Sequence, residues 1–438
     1  MTYNLYTAGI KSLNPMQEDM LCQMRRHDSV VLLSPTGSGK TLGYMLPVIE
    51  AMKPTSFPTV LVLVPSRELA MQTRDVALCL CRETRACAFY GGRTAMEEHR
   101  TITSVSPQMI IGTPGRILDH LQKGNFAVQN IDTLVIDEFD KSLELGFRNQ
   151  MADIMALLPS VKKRILLSAT DSPDIPAFVG TGSVLRLDYL SGDSHEDYAD
   201  RIRNFVLRSP DKDKLETLGH LLCSFGSSCS IVFLNYREAV ERVHQFLRKA
   251  GFCVAAYHGA MEQKERERAL FRFRSGCANV LVSTDLAARG LDIPNVENII
   301  HYHLPTNNDT YIHRNGRSAR WDKAGTSYLI LGPEESVDMI GVSSVIHQMD
   351  IPADVHVPAS DWETLYIGRG KKDKINKVDI VGFLCKTGGL ERDRLGMITV
   401  MPHWSFAAVD RTCIRSLMKR IDGQKIKGQK TIIEPIRQ

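Results

Sequence analysis

The chain has 438 residues, 43% apolar and 24% charged, which is too long for one ordinary domain and too apolar for a disordered one. Its ten cysteines include no CxxC pair, and Cys79, Cys81 and Cys87 lack the partners a zinc site needs, so reduced, mostly buried thiols in a cytosolic protein are expected. The net charge of +4 hides an asymmetry: residues 362–438 carry 16 Lys and Arg against 8 Asp and Glu, a basic module on a mildly acidic body, which is a nucleic-acid footprint. No apolar run approaches the roughly 20 residues that cross a bilayer. The opening "MTYNLYTAGIKSLNP" lacks the basic start and apolar core of a signal peptide.

Short apolar runs alternate with helix-length amphipathic stretches through the first 330 residues. "SVVLLS" (29–34), "TVLVLVP" (59–65), "QMIIGT" (108–113), "TLVIDE" (133–138) and "RILLSAT" (164–170) suit buried parallel strands covered by helices on both faces. "SGDSHEDYAD" (191–200) reads as a linker. The alternation resumes with "CSIVFLN" (229–235), "CVAAYHG" (253–259), "NVLVSTD" (279–285) and "NIIHYHLP" (298–305), and "DIPADVHVPASD" (350–361) reads as a second linker. The last 77 residues read strand 364–367, helix 378–387, strands 396–401 and 404–409, helix 411–421, strand 430–434. That order suits a small RRM-like sheet. The expected architecture is α/β: two tandem parallel-sheet domains, 1–190 and 201–349, followed by a βαββαβ domain, 362–438.

"SPTGSGKT" (34–41) follows a strand and precedes an apolar helical stretch. Gly37 and Gly39 let the backbone wrap an anion, with the amides of Thr36, Ser38 and their neighbours pointing inward at a helix N-terminus. Lys40 would reach the β- and γ-phosphates, and the Thr41 hydroxyl would ligate Mg²⁺. Ser34 stands where the generic pattern has Gly. Downstream, "LVIDEFDKSLELGF" (134–147) runs a strand into two acids. Asp137 can hold Mg²⁺ through water, while Glu138 can orient and deprotonate an attacking water. Phe139 interrupts the acids and is expected to be core, with Asp140 left to bond neighbouring segments.

"PSRELA" (65–70), "YGGR" (90–93), "TPGR" (113–116), "SAT" (168–170), "STDLAARGLDIP" (283–294) and "YIHRNGRSAR" (311–320) follow in that order. With the phosphate loop and "DEFD", they resemble the DEAD-box family of ATP-dependent RNA helicases over residues 9–335. The resemblance implies two RecA-like domains and assigns roles. Gln17, in "NPMQ", would read adenine. Pro65, Arg67, Gly92, Thr113, Arg116 and, from the second domain, Thr284 would track the RNA backbone. Ser168 and Thr170 would link hydrolysis to domain movement, and Asp292 would contact the ribose. Arg317 and Arg320 would reach the γ-phosphate across the cleft, and His313 and Arg314 would organise the interdomain surface. ATP, Mg²⁺ and RNA are the implied ligands. The family's aromatic about 17 residues before the adenine-reading Gln would fall ahead of Met1, leaving Tyr3 or Tyr6 to substitute, and Asn14 stands where Thr is usual.

"TLYIGRGKKDKINKVDIVGFL" (364–384), with "LGMITVMPHWSFAAVD" and "QKIKGQK", resembles the RNA-binding domain of DbpA-like helicases. This implies a large-subunit rRNA hairpin near the peptidyl transferase centre as partner. Lys371, Lys372, Lys374 and Lys377 would contact phosphates, and Arg369, Tyr366, Trp404 and Phe406 bases, although alternate residues of "HWSFAAV" must face a core. Asn376 and Lys377 stand where Arg-Pro is frequent. The expected function is a monomeric, cytoplasmic, ATP- and Mg²⁺-dependent RNA helicase that remodels 23S-type rRNA in assembling large subunits. Its competitors are a general chaperone for structured or cold-stabilised mRNA, a non-catalytic ATP-gated RNA clamp, and a DNA helicase, which the motif set disfavours.

Overall fold

The computed structural model describes all residues except 7–9, 93–94, 180–182, 191–201, 286–295, 319–324, 338–345, 349–355 and 437–438. The first linker expected from sequence, 191–200, and much of the second lie outside the described residues. The chain divides into two compact units, with the boundary between Arg201 and Ile202.

The first unit is built on strands β1 (Ser29–Leu33), β2 (Val60–Leu63), β3 (Ala86–Phe89), β4 (Met109–Gly112), β5 (Thr133–Ile136), β6 (Lys163–Ser168) and β7 (Val184–Asp188). They lie in the order β3-β4-β2-β5-β6-β1-β7, and every pair is parallel. β2, β3 and β4 are buried along their whole length, because helices cover both faces of the sheet. Two apolar cores result, one on each face, around Leu32, Val62 and Ile111 and around Leu33, Leu63 and Ile110. Alternation along each strand thus splits its side chains between two cores.

The second unit repeats the design with β8 (Ile202–Arg208), β9 (Ser230–Phe233), β10 (Val254–Tyr257), β11 (Val280–Ser283), β12 (Asn298–His301), β13 (Gly325–Leu331) and β14 (Ile346–Gln348). Their order is β10-β11-β9-β12-β13-β8-β14, again all parallel. The repeat extends to detail. Ser34 N donates to Ser168 O beyond β1 and β6, and Ser209 N donates to Leu331 O at the matching place beyond β8 and β13.

The same unit carries the C-terminal module. Its strands β15 (Trp362–Ile367), β16 (Leu395–Val400), β17 (Ser405–Asp410) and β20 (Ile433–Ile436) form an antiparallel sheet in the order β16-β17-β15-β20. Between β17 and β20 run the helix Ile414–Ile421 and a hairpin of β18 (Lys425–Ile426) and β19 (Gln429–Lys430). The first helix is shorter than expected, Lys377–Gly382, and continues as a π-turn to Thr387. Leu365, Ile367, Ala407 and Val409 face the helices and form the module's core.

The opposite face of this sheet is covered by the neighbouring parallel-sheet domain. Phe406 and Ala408 pack with Phe271 and Cys277, and the Phe271 and Phe406 rings stack with centroids 5.3 Å apart. Lys264 lies over the rings of Tyr366 (4.6 Å) and Trp404 (5.4 Å), and Ser360 Oγ donates to Gly276 O. The expectation that these aromatics contact bases is therefore corrected for Phe406, which is fully buried inside the protein, and Tyr366 and Trp404 are engaged by Lys264. Phe271→Ala should cost about 3–5 kcal/mol of packing at this seam. Hydrogen exchange should then rise in β15 and β17 while the module's own core stays protected; unchanged exchange would mean the seam holds without the ring pair.

Candidate active site and RNA-facing residues

The first unit collects its chemistry at the C-terminal ends of β1, β5 and β6, which are adjacent in the order β5-β6-β1. After β1 the chain turns through Gly37 (φ +81°) and Gly39 (φ +86°), both in the left-handed region open to glycine. It then enters the helix Lys40–Ala51. Lys40 is buried, and its Nζ donates to Ser34 O at 2.6 Å and Pro35 O at 2.8 Å. The ammonium thus already sits inside the curl of its own loop. Ser34 Oγ donates to Ser38 Oγ at 2.7 Å, so the Ser replacing the generic Gly braces the loop.

Asn14 and Gln17 support the loop from below. Asn14 caps the helix Pro15–Gln23 by accepting from Gln17 N, Gln17 Oε1 accepts from Asn14 N, and each side chain has an amide left to donate. Asn14 Nδ2 donates to Ser38 O and Gln17 Nε2 to Gly39 O. A Cβ on Gly39 would lie 2.4 Å from Gln17 Nε2. An Asn at position 14 therefore caps and grips the loop at once, its oxygen accepting from Gln17 N and its NH2 donating to Ser38 O.

After β5, Asp137 N continues the ladder to Leu63 O, and Glu138 takes φ +50°, ψ +55° as the cap of the helix Phe139–Glu144. A non-glycine residue held in that region at a cluster of acids is backbone strain. Thr41 Oγ1 donates to Asp137 Oδ2 at 3.4 Å, joining the two segments. Burial pushes the Asp137 carboxyl above the usual carboxylate range, and Lys40, the Glu138 amide, Tyr44 and Thr41 draw it back only in part. Burial, and then Asp137, push the Tyr44 hydroxyl far upward. Phe139 is fully buried, as expected, and meets Phe178 edge-on at 5.0 Å. Its ring thus braces the acid turn against the helix Ile175–Val179, which follows Ser168 and Thr170. Ser168 Oγ donates to Thr170 O at 2.6 Å.

A second group lies beyond β2, β3 and β4. Pro65 is buried, and Arg67 begins the helix Arg67–Leu80 with its guanidinium 5.6 Å from the centroid of Tyr90. A Cβ on Gly92 (φ +97°) would lie 2.9 Å from that guanidinium. Thr113 caps the helix Pro114–Gln122, which carries Arg116. In the second unit Thr284 follows β11, and Arg314 is fully buried. Arg314 donates to Asp285 Oδ1 (2.5 Å), His303 O (2.8 Å) and Asn235 Oδ1 (2.7 Å), beyond β11, β12 and β9. The guanidinium of Arg314, expected with His313 to organise the interdomain surface, ties three strand ends together. Burial, and then Arg314, push nearby His301 down to about 3, so its imidazole is neutral. Arg317 follows the same helix; Arg320 and Asp292 lie outside the described residues.

Family models match the chain in the order DEAD/DEAH box helicase (residues 14–177), helicase conserved C-terminal domain (213–322) and DbpA RNA binding domain (364–435). The ATP-dependent RNA helicase DbpA of Escherichia coli is 32% identical, and the match covers 97% of this chain and 95% of that protein. This chain belongs to the DEAD-box ATP-dependent RNA helicases. DbpA of Bacillus subtilis is 28% identical over 96% of the chain. The solved structure of Saccharomyces cerevisiae Dbp5 bound to RNA and ADP BeF3 superposes with a TM-score of 0.70 at 25% identity, covering 79% of this chain and 92% of that one. Mss116p bound to ssRNA and AMP-PNP gives 0.69 at 24% identity, which bears on the fold.

As a DEAD-box protein the chain is an RNA helicase that hydrolyses ATP. Two sets of contacts in the helicase were not foreseen from the sequence. Glu98, on the helix Ala95–Val105, is buried and bonds Arg116. The hairpin β18–β19 folds onto the lysine-rich loop: Lys427 Nζ donates to Lys374 O at 3.0 Å, and Gln429 Nε2 to Asp373 O at 3.1 Å. Lys371, Lys372, Lys374, Lys377, Lys425, Lys427 and Lys430 are all exposed on these two segments. Asn376 caps the helix Lys377–Gly382, which gives the departure there a local reason.

A carboxyl whose folded-state pKa exceeds its unfolded value costs nothing below the unfolded pKa and penalises the fold increasingly as pH rises through the folded one. Asp137→Asn should therefore raise the melting temperature of the nucleotide-free helicase near pH 7, with the gain fading toward pH of about 4. Thermal denaturation at both pH values checks this; an equal gain at both would locate the effect elsewhere.

Proposed function

We propose that this helicase remodels structured large-subunit (23S-type) rRNA during ribosome assembly, acting in the cytoplasm as a monomer with Mg²⁺. The observation that carries the reading is the C-terminal module: it is matched by the DbpA RNA binding domain and presents an exposed lysine surface on 371–377 and 425–430. Among the described residues, no helix is long and apolar enough to cross a membrane.

In this reading Lys40 leaves the carbonyls of Ser34 and Pro35 for the β- and γ-phosphates, and the amides of Thr36 to Thr41 line the anion. Thr41 and Asp137 offer adjacent oxygens, and burial of the Asp137 carboxylate favours a compensating cation, so the pair fits a hard divalent ion. Mg²⁺, when bound there, neutralises phosphate charge. Glu138 accepts the proton of the attacking water, and Gln17 reads adenine from beside Gly39. Arg317, Arg320 and Asp292 complete the site from the second domain, so hydrolysis waits on closure. Closure also aligns Pro65, Arg67, Gly92, Thr113 and Arg116 with Thr284 along RNA, while Ser168 and Thr170 couple the two events. Lys371, Lys372 and Lys374 hold the target hairpin by its phosphates.

Glu138→Gln should lower steady-state ATP turnover by at least about 10²-fold, the scale of a lost general base, while ATP and RNA remain bound. Wild-type turnover by that variant would remove Glu138 from the chemistry. Target choice is read from ATPase rates with no RNA, an unrelated structured RNA, and an rRNA fragment carrying the peptidyl transferase hairpins. Strong stimulation by the last alone is expected. Equal stimulation would favour a general RNA chaperone, and none a non-catalytic clamp.

A further inference from the structure

Glu98 is 2% exposed and has no place in the nucleotide site, yet a buried carboxylate is retained only where partners compensate it. Its Oε2 accepts from Arg116 Nε at 2.6 Å and lies 2.8 Å from His120 Nε2, and its Oε1 accepts from Tyr90 N at 3.4 Å. His120 is fully buried, and Asn125 Nδ2 donates to its Nδ1 at 2.8 Å. An acceptor at Nδ1 leaves Nε2–H as the donor toward Glu98, the neutral tautomer. The carboxylate is therefore oriented by a chain, Asn125 to His120 to Glu98, and spends its charge on Arg116.

We propose that Glu98 is a positioning residue for RNA: through the Arg116 Nε bond it fixes the plane of that guanidinium for a backbone phosphate without touching RNA itself. The inference rests on the reading of Arg116 as a phosphate contact. Three observations carry it. Arg116 and His120 stand four apart on one helix, so a single acceptor on the facing helix can engage both. The arginine has a competing partner, Asp119, at 3.5 Å on its own helix, and Asp119 is itself bonded by Lys123. Without Glu98 the guanidinium would relax toward Asp119. Finally, Tyr90 links the same carboxylate to the strand that precedes Gly92, and its ring carries Arg67. One buried carboxylate thus bonds Arg116 and the strand end that leads to Gly92.

The test is binding of a fluorescent single-stranded RNA to the full chain in the presence of a non-hydrolysable ATP analogue, titrated across salt concentrations. The variants are Glu98→Ala, Glu98→Gln, Arg116→Ala and Glu98→Ala with Arg116→Ala. Glu98→Ala should weaken binding about tenfold, the scale of one charge-assisted hydrogen bond. It should also flatten the slope of log Kd against log salt by about 0.7, the loss of one phosphate contact on a single strand. A merely structural role would leave that slope unchanged. Glu98→Gln keeps an acceptor in place, so it should recover most of the affinity, and it also serves if the Ala variant melts below the assay temperature. The double variant should bind no worse than Arg116→Ala. Wild-type affinity and slope in Glu98→Ala beside a weakened Arg116→Ala would overturn the proposal and spare the Arg116 reading, and so would additive losses. An Arg116→Ala protein with wild-type binding would instead remove the arginine from the RNA track.

Discussion

The ammonium of Lys40, held by the carbonyls of Ser34 and Pro35, is the interaction on which the rest of the first domain depends. A buried cation must be solvated by something, and here the loop's own backbone does it. That requires the left-handed turns at Gly37 and Gly39, and it requires the loop to be held from outside. Asn14 and Gln17 supply that grip, each accepting at the helix start with its side-chain oxygen and donating its NH2 to the loop. The parallel sheet supplies the rest, because β6 lies between β1 and β5 and brings Ser168 beside Ser34 and near the acids. The site is thus built around buried charge, with the Asp137 carboxyl raised by burial and Glu138 in a strained backbone conformation.

Much of this was legible in the sequence. Fully buried parallel strands are short and apolar throughout, and nine of them were read from composition alone. β3, β7, β8, β13 and β14 were missed. β3, "ACAF", is too small and short to stand out, and β7 alternates half-buried with exposed residues at the sheet edge. The phosphate loop and its acids were readable because their chemistry restricts residue types at fixed spacing. Glu98 was not, since a carboxylate on an amphipathic helix looks solvated until the partner helix is seen to present Arg116 and His120 to it. The tail aromatics failed differently. Alternation showed that half of "HWSFAAV" must be buried, but not that a neighbouring domain covers the other half. The Phe139 ring was legible as core, whereas its contact with Phe178 was not.

The second unit shows the same frame turned to another use. Ser209 and Pro210 follow β8 as Ser34 and Pro35 follow β1, but "SPDKDK" has no glycine to wrap a phosphate. Lys214 instead donates to Ile330 O and Glu335, so an internal carboxylate joins a carbonyl where Lys40 has two loop carbonyls. Arg314 then spends its charge on strand ends. In the proposed reading this domain offers a nucleotide Arg317, just beyond the helix Asn308–Asn315, and offers RNA Thr284 and a docked basic module. The proposed reading thus divides the binding residues for both ligands between the two units.

That division makes a quantitative demand. If ATP and RNA favour one closed state, each must tighten the other by the same factor. The decisive measurement is the Kd of single-stranded RNA with and without a non-hydrolysable ATP analogue, and of the analogue with and without saturating RNA. The account predicts that both improve equally, within a range of about 5–150-fold. Two affinities that ignore each other would contradict it.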